Sequence, residues 1–245
     1  MAGSPVKIAL AIPCHGDTKS KFTQCLAEML VHTMSATFEM DGERFTPQIQ
    51  TFMVSCSLLT ESRNRLVAEA INWEADYMLW MDADHVFPRD ALVKLLSHNL
   101  PVVGCNYARR FNPTAPTASA ENDEGKLELV WSPKEGVSEV AHLGLGLCLM
   151  DMRVFAAMDK FYNGKFWPLF VIEPAENGIT SIGEDVYFFK KIRDAGIPIH
   201  CDHELSWDVG HIAETILTQA HCLKDKERWR EHCERKMDKF KKEAA

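Results

Sequence analysis

Within the first 105 residues, four short apolar runs alternate with stretches of helical spacing, which leaves few folds open. The runs are "VKIALAI" (6–12), "IQTFMVS" (49–55), "YMLWM" (77–81) and "PVVGC" (101–105). Each has strand length, and Pro13 and Gly16 punctuate the end of the first. Between the first two, Phe22, Cys25, Leu26, Met29, Leu30 and Thr33 fall on one helical face. Thr60 is placed to cap a second helix with Leu66, Val67, Ala70 and Ile71 inside. Pro88 suits the first turn of a third, which would bury Ala91, Leu92, Leu95 and Leu96. This alternation predicts an α/β fold: an open, mostly parallel, Rossmann-like sheet with right-handed crossovers and helices on its faces. Ligands of such sheets bind at the carboxyl ends of the strands.

The regular pattern stops after the fourth run. Residues 106–137 hold Pro113, Pro116, Pro133 and many small polar residues, and read as a long functional loop with a hairpin. "HLGLGLCLM" (142–150) follows, then a short helix near 152–159. Residues 183–196 predict a helix ended by Gly196 and Pro198, and "PIHCD" (198–202) a strand. In the tail, Cys222, Trp229, Cys233, Met237 and Phe240 share a face, so that helix is expected to pack on the body. The domain reading is one unit over 1–220 with an amphipathic helix, 221–245, packed on it.

Charge separates body from tail. Residues 221–245 carry nine Lys/Arg against six Asp/Glu, and the remainder 18 against 29, within a net charge of −8. An acidic body argues against an extended nucleic-acid footprint, so nucleic acid enters only as a possible acceptor. A basic tail could touch phosphates or anionic lipid, although a solvated helix face explains it as well. No apolar run approaches the roughly 20 residues of a membrane span. The start reads as a strand and not as an export signal, so the eight cysteines are expected to be reduced cytoplasmic thiols. None forms a C-x-x-C pair.

The sharpest chemical feature is "LWMDADHVFP" (79–88), where Asp82 and Asp84 directly follow a buried-looking strand. One acid would suffice to favour a following helix N-terminus. Two carboxylates at a solvent-facing strand end suit a hard divalent cation, Mn2+ or Mg2+, of the kind that binds substrate phosphates.

Four features in order resemble nucleotide-sugar-dependent glycosyltransferases of the GT-A fold, close to the family-2 type, over roughly residues 6–211. They are the Arg-Asn pair and D-x-D strand in "SRNRLVAEAINWEADYMLWMDAD", the glycine segment "HLGLGLCLM", the acidic pair in "GED" (183–185) and the late histidine of "WDVGH". The resemblance implies that Asp84 and His211 hold the metal, with Asp82 supporting its shell and contacting the donor ribose or sugar. It implies that Pro13, Cys14 and His15 line the nucleotide pocket and that Arg63 reaches the nucleotide or phosphates. Gly144 and Gly146 would let backbone approach a sugar, Asp185 would be the general base, and Glu184 a sugar or acceptor contact. The partner is then a nucleoside-diphosphate sugar, a UDP-sugar in preference to a GDP-sugar. Cys14-His15-Gly16 replaces the family's usual residues after the first strand, and the second strand lacks a base-reading acid.

A base acting from the face opposite the leaving group implies an inverting transfer. The acceptor is expected to be a saccharide or small molecule, or a modified DNA base, with residues 106–137 and 160–180 on the acceptor side. Trp167 and Phe170 could stack on it, Arg109 and Trp207 could contact it, and Trp207 is expected near the nucleotide. Simpler readings stay open. Arg63 could pair only with Glu61 or another acid, the glycines could mark a bulge, and Tyr107, Arg109 and Arg110 could form a solvated basic turn. Three rival functions are a haloacid-dehalogenase-like phosphatase using the D-x-D pair, a sugar-phosphate nucleotidylyltransferase, whose glycine-rich phosphate loop "AIPCHGDTKSKF" lacks, and a non-catalytic sugar-nucleotide-binding module.

Overall fold

The computed structural model describes residues 5–40, 43–175, 179–213 and 216–243. Seven strands form the central sheet: β1 (Val6–Cys14), β2 (Pro47–Ser55), β3 (Tyr77–Met81), β4 (Val102–Gly104), β5 (Val137–Val140), β6 (Leu147–Asp151) and β7 (Ile199–Asp202). Their spatial order is β5-β7-β4-β6-β3-β1-β2. Strands β1 to β4 and β7 share one direction, while β5 and β6 run against it. The expected mixed α/β architecture with a mostly parallel sheet is therefore present.

The β6 strand forms from the segment after the glycines and wedges between β3 and β4, antiparallel to both. All five residues of β3 are buried, since that strand is covered on both faces. Side chains alternate through the sheet. Ala9, Ala11, Met78 and Trp80 meet helices α2 (Leu59–Asn72), α4 (Arg153–Phe161) and α5 (Glu184–Asp194) on one face. Ile8, Leu10, Leu79 and Met81 meet α1 (Ser20–Ser35), α3 (Ala91–Ser97) and α6 (His203–Asp208) on the other. Burying one such Leu or Ile contributes about 1.5–3 kcal/mol.

Several local expectations shift. Strand β1 runs on through Pro13, which pairs with Val54, to Cys14. Leu58, not Thr60, is the residue before α2 and supplies no side-chain cap; Ile71 on that helix is 40% exposed. Helix α3 starts at Ala91, three residues beyond Pro88, whose carbonyl accepts from the Ala91 N–H. The 106–137 segment does contain a hairpin, Ser119–Glu121 against Leu127–Leu129. Buried Asn106 ties it down, its Oδ1 accepting from Thr117 N and Ala118 N and its Nδ2 donating to Val130 O. Phe170 is buried between Trp80 and Phe188 and is not free to stack on a ligand, whereas Trp167 is exposed.

Helix α7 (Gln219–Glu243) reaches the body through its first turns: Gln219 Nε2 donates to Asn106 O and Asp225 accepts from Thr114 N. Cys222 is buried, Trp229 and Cys233 are half-buried and Met237 is 59% exposed, so the tail's apolar stripe loses its cover toward the end; the Phe240 side chain lies outside the described residues. All eight cysteines are free. No helix among the described residues is long and apolar enough to cross a membrane.

Candidate active site

A cavity of about 470 Å³ opens over the carboxyl ends of β1, β2 and β3. Pro13, Cys14 and His15 line it from β1, Cys56 and Ser57 from beyond β2, and Asp82 and Asp84 from beyond β3. This is where an open α/β sheet places its ligand.

The chain reaches His211, far along the sequence, through a small three-stranded sheet. Residues Gly210–Ile212 pair antiparallel with His85–Val86, His211 lying opposite His85, and Ile216–Leu217 completes the sheet. Ile212 N donates to Asp84 O at 2.8 Å, which locks the register. Gly210 permits the approach: a β-carbon there would sit 2.4 Å from Ile216 and 2.9 Å from Val86. The glycine of "WDVGH" thus has a packing reason.

Asp84, His85 and His211 bring one ligand atom each within 4.8 Å of one another. His211 Nδ1 lies 3.0 Å from the Ala108 carbonyl, which can only accept, so Nδ1 carries the proton. Its Nε2 faces Asp84 Oδ1 at 3.5 Å, and His85 Nδ1 lies 3.2 Å from the same oxygen. Fully buried His85 has no hydrogen-bond partner on either ring nitrogen among the described residues. Its ring stacks on His211 at 4.4 Å and meets Tyr107 edge-on at 4.3 Å. Burial pushes the His85 imidazole below its ordinary range despite the Asp84 carboxylate, favouring the neutral form with a lone pair.

The Asp84 carboxyl is also lowered, for a different reason. Burial alone would raise it, but the His211 and His85 imidazoles beside it hold it well below the usual carboxylate range. Two imidazole nitrogens and one carboxylate oxygen gathered within 4.8 Å form a donor set that suits a cation, and the Nδ1–H bond to a backbone carbonyl is how metal-binding histidines are oriented. The residues present therefore fit a divalent metal. Arg110 Nη1 holds the second Asp84 oxygen at 2.8 Å.

Several expected positions fall elsewhere. Asp82 lines the cavity but is not in the trio, and its Oδ1 takes Arg63 Nη2 at 3.3 Å. His85 stands in the trio in its place. Arg63 is buried and its other arm donates to Glu184 at 2.7 Å, so it ties two acids together and does not line the cavity. Asn64 beside it clamps the 160–180 segment, its Oδ1 accepting from Leu169 N and Phe170 N. Both residues lie inside α2, not at its opening.

Gly144 and Gly146 face protein, not ligand space. A β-carbon on Gly144 would strike the Tyr107 hydroxyl at 2.1 Å, and one on Gly146 would strike His85 Nε2 at 2.5 Å. Trp207 donates to Pro133 O at 2.7 Å and does not line the cavity. Arg109 is half-buried and burial lowers its pKa from the ordinary range, while the exposed Arg110 is the one that reaches Asp84. Asp185 lies outside the cavity lining, and its Oδ1 accepts from Val186 N at 2.8 Å. Its charge acts on Arg63, Tyr107, Arg109 and His142, and burial pushes His142 down to about 4.

The position of Gly146 gives a direct expectation. Gly146→Ala should push the His85 ring out of place and weaken Mn2+ binding about 10-fold or more. Overpacking should also cost about 1–3 kcal/mol of stability. Calorimetric titration beside thermal melts reads both, and unchanged Mn2+ affinity in a folded variant would remove His85 from the cation site.

No protein-family model and no curated protein matches the sequence. Among solved structures, A197 from STIV is 16% identical, with a TM-score of 0.55, over 88% of this chain and 91% of that one. GalNAc-T7, determined with UDP, GalNAc and Mn2+, is 13% identical with a TM-score of 0.47, over 86% of this chain and 44% of that one. The likeness to A197 is one of fold.

Proposed function

We propose that this chain is a metal-dependent glycosyltransferase of the GT-A type, moving a sugar from a nucleoside-diphosphate sugar to an acceptor hydroxyl. The observation that carries the reading is the convergence of Asp84, His85 and His211 beside a 470 Å³ cavity at the strand ends. The catalytic unit is a single domain over 1–220, with 221–245 packed on it. The nucleotide lies along Pro13, Cys14 and His15, with its diphosphate toward Asp84 and His211. A UDP-sugar is preferred to a GDP-sugar.

Asp84, His85 and His211 would hold a divalent cation, Mn2+ or Mg2+, which would supply Lewis-acid stabilisation of the charge left on the diphosphate. Arg110, already on Asp84, adds positive charge at the same edge. Asp82 orients the donor sugar or ribose, and its own carboxylate is fixed by Arg63. Asp185 takes the proton of the acceptor hydroxyl, whose pKa lies far above 7. Attack from the face opposite the leaving group inverts the anomeric carbon.

Two tests follow. Release of UDP from UDP-sugars should stop in EDTA and return with Mn2+; full turnover after exhaustive chelation would end the metal reading. Asp185→Asn should lower kcat about 10²-fold or more while nucleotide affinity stays nearly unchanged. Retention of configuration in the first product seen by NMR would take Asp185 out of the base role.

A further inference from the structure

A second cavity, about 480 Å³, lies on the far side of Arg110, between the 110–114 turn and the first turns of α7. Its walls carry Arg110, Lys224 and Arg228 against one carboxylate, Asp225. That carboxylate is already occupied, accepting from Thr114 N at 3.1 Å and from Arg228 Nη1 at 2.9 Å. The wall is built and held: Arg228 Nη2 also donates to Asn112 at 3.0 Å, and Thr114 Oγ1 donates to Arg109 O at 2.6 Å. His221 adds a donor, since its Nδ1 accepts from Thr218 N and the ring proton of the neutral form is left on Nε2. Phe111 stands 62% exposed at the rim. A wall with excess positive charge on a chain of net charge −8 is a local departure that calls for an anion.

We infer that this second cavity is an anion subsite, which receives a phosphate or carboxylate carried by the acceptor. Arg110 lines both cavities, so the subsite lies immediately beside the proposed metal centre. A guanidinium has five N–H donors, and the Asp84 bond through Nη1 leaves others for a second anion. Lys224 and Arg228 fix the anion, and the Phe111 ring offers a face to the sugar that bears it. The term acceptor rests on the transferase reading above; the anion binding does not.

The test titrates the full chain with glucose 6-phosphate, glucuronate and neutral glucose, each with and without Mn2+ and UDP. One of the two anions should bind saturably and glucose should not; which one binds separates phosphate from carboxylate. Lys224→Glu should weaken that binding about 10-fold or more, and the charge-neutral Lys224→Gln by less, because a charge-assisted hydrogen bond is lost in both and repulsion is added in the first. Lys224 is exposed, so both variants should fold. Anion binding without turnover of any nucleotide sugar would keep the subsite and end the transferase reading. Absence of saturable anion binding, equal binding of glucose, or an equal loss of UDP affinity in Lys224→Glu would overturn the subsite.

Discussion

Asp84→Asn should reduce metal-dependent turnover about 10³-fold or more while the fold survives. The estimate follows from a Lewis acid contributing several kcal/mol at the transition state, each 1.36 kcal/mol being tenfold in rate. Asp84 is the only member of the trio that brings negative charge, and one of its oxygens faces both imidazoles. An amide keeps the shape but offers a weaker oxygen and aims two N–H groups at Arg110 or the histidines. The side chain is 22% exposed and is not part of either apolar cluster, so the Tm should move by no more than about 4 °C. Steady-state UDP release across a Mn2+ series checks the rate, and a melt checks the fold. Wild-type turnover in the variant would dissociate the trio from the reaction.

Arg63→Ala should damage both fold and site. The guanidinium, 4% exposed, bridges Asp82 beyond β3 and Glu184 at the start of α5. Burial works against its charge, but Asp82, Glu184 and Asp185 outweigh that and raise its pKa. Removing one partner of a buried ion pair costs about 3–5 kcal/mol; partial exposure of the acids places this loss near the lower end. Two carboxylates would then face each other across an empty space. Arg63→Lys should not restore the wild type, because an ammonium cannot hold two acids in the geometry of a planar fork.

The effect should depend on pH with a definite sign. The Glu184 carboxyl is already raised above its ordinary value of 4.5, by burial first and by Asp185, with Arg63 opposing. Losing Arg63 removes the opposing charge and raises it further. The folded state then binds more protons than the unfolded chain, so stability falls as pH rises from the ordinary Glu value through the raised one. Urea melts from pH 4 to 7 should show the variant's deficit growing toward pH 7. A deficit that is constant across this range would mean that the loss is one of packing alone.

The sheet and its helices were legible because buried strands and one-sided helices leave periodic apolar patterns. The place of β6 was not, since an apolar run carries no direction and the wedge between β3 and β4 depends on the whole fold. Asp84 and His211 could be named from their motifs. A histidine beside two acids adds nothing to a D-x-D pattern, so the sequence does not mark His85; only the register that sets it opposite His211 brings the two rings together. Arg109 and Arg110 are interchangeable in sequence, and only the fold separates them: Arg110 reaches Asp84, while Arg109 is half-buried. Trp207 looked close to His211 in sequence, yet α6 ends at Asp208 and the chain turns into a strand at Gly210, leaving the indole on Pro133.

Asp84, His85 and His211 are proposed to form one cation site beside the strand-end cavity. Anomalous scattering from crystals soaked in MnCl2 and UDP tests it most directly. A Mn2+ peak is expected about 2.0–2.6 Å from an Asp84 carboxylate oxygen and from His211 Nε2, with His85 Nδ1 adjoining and the diphosphate bound on the cleft side. A diphosphate ordered in the cleft with its Mn2+ held away from all three residues would contradict it.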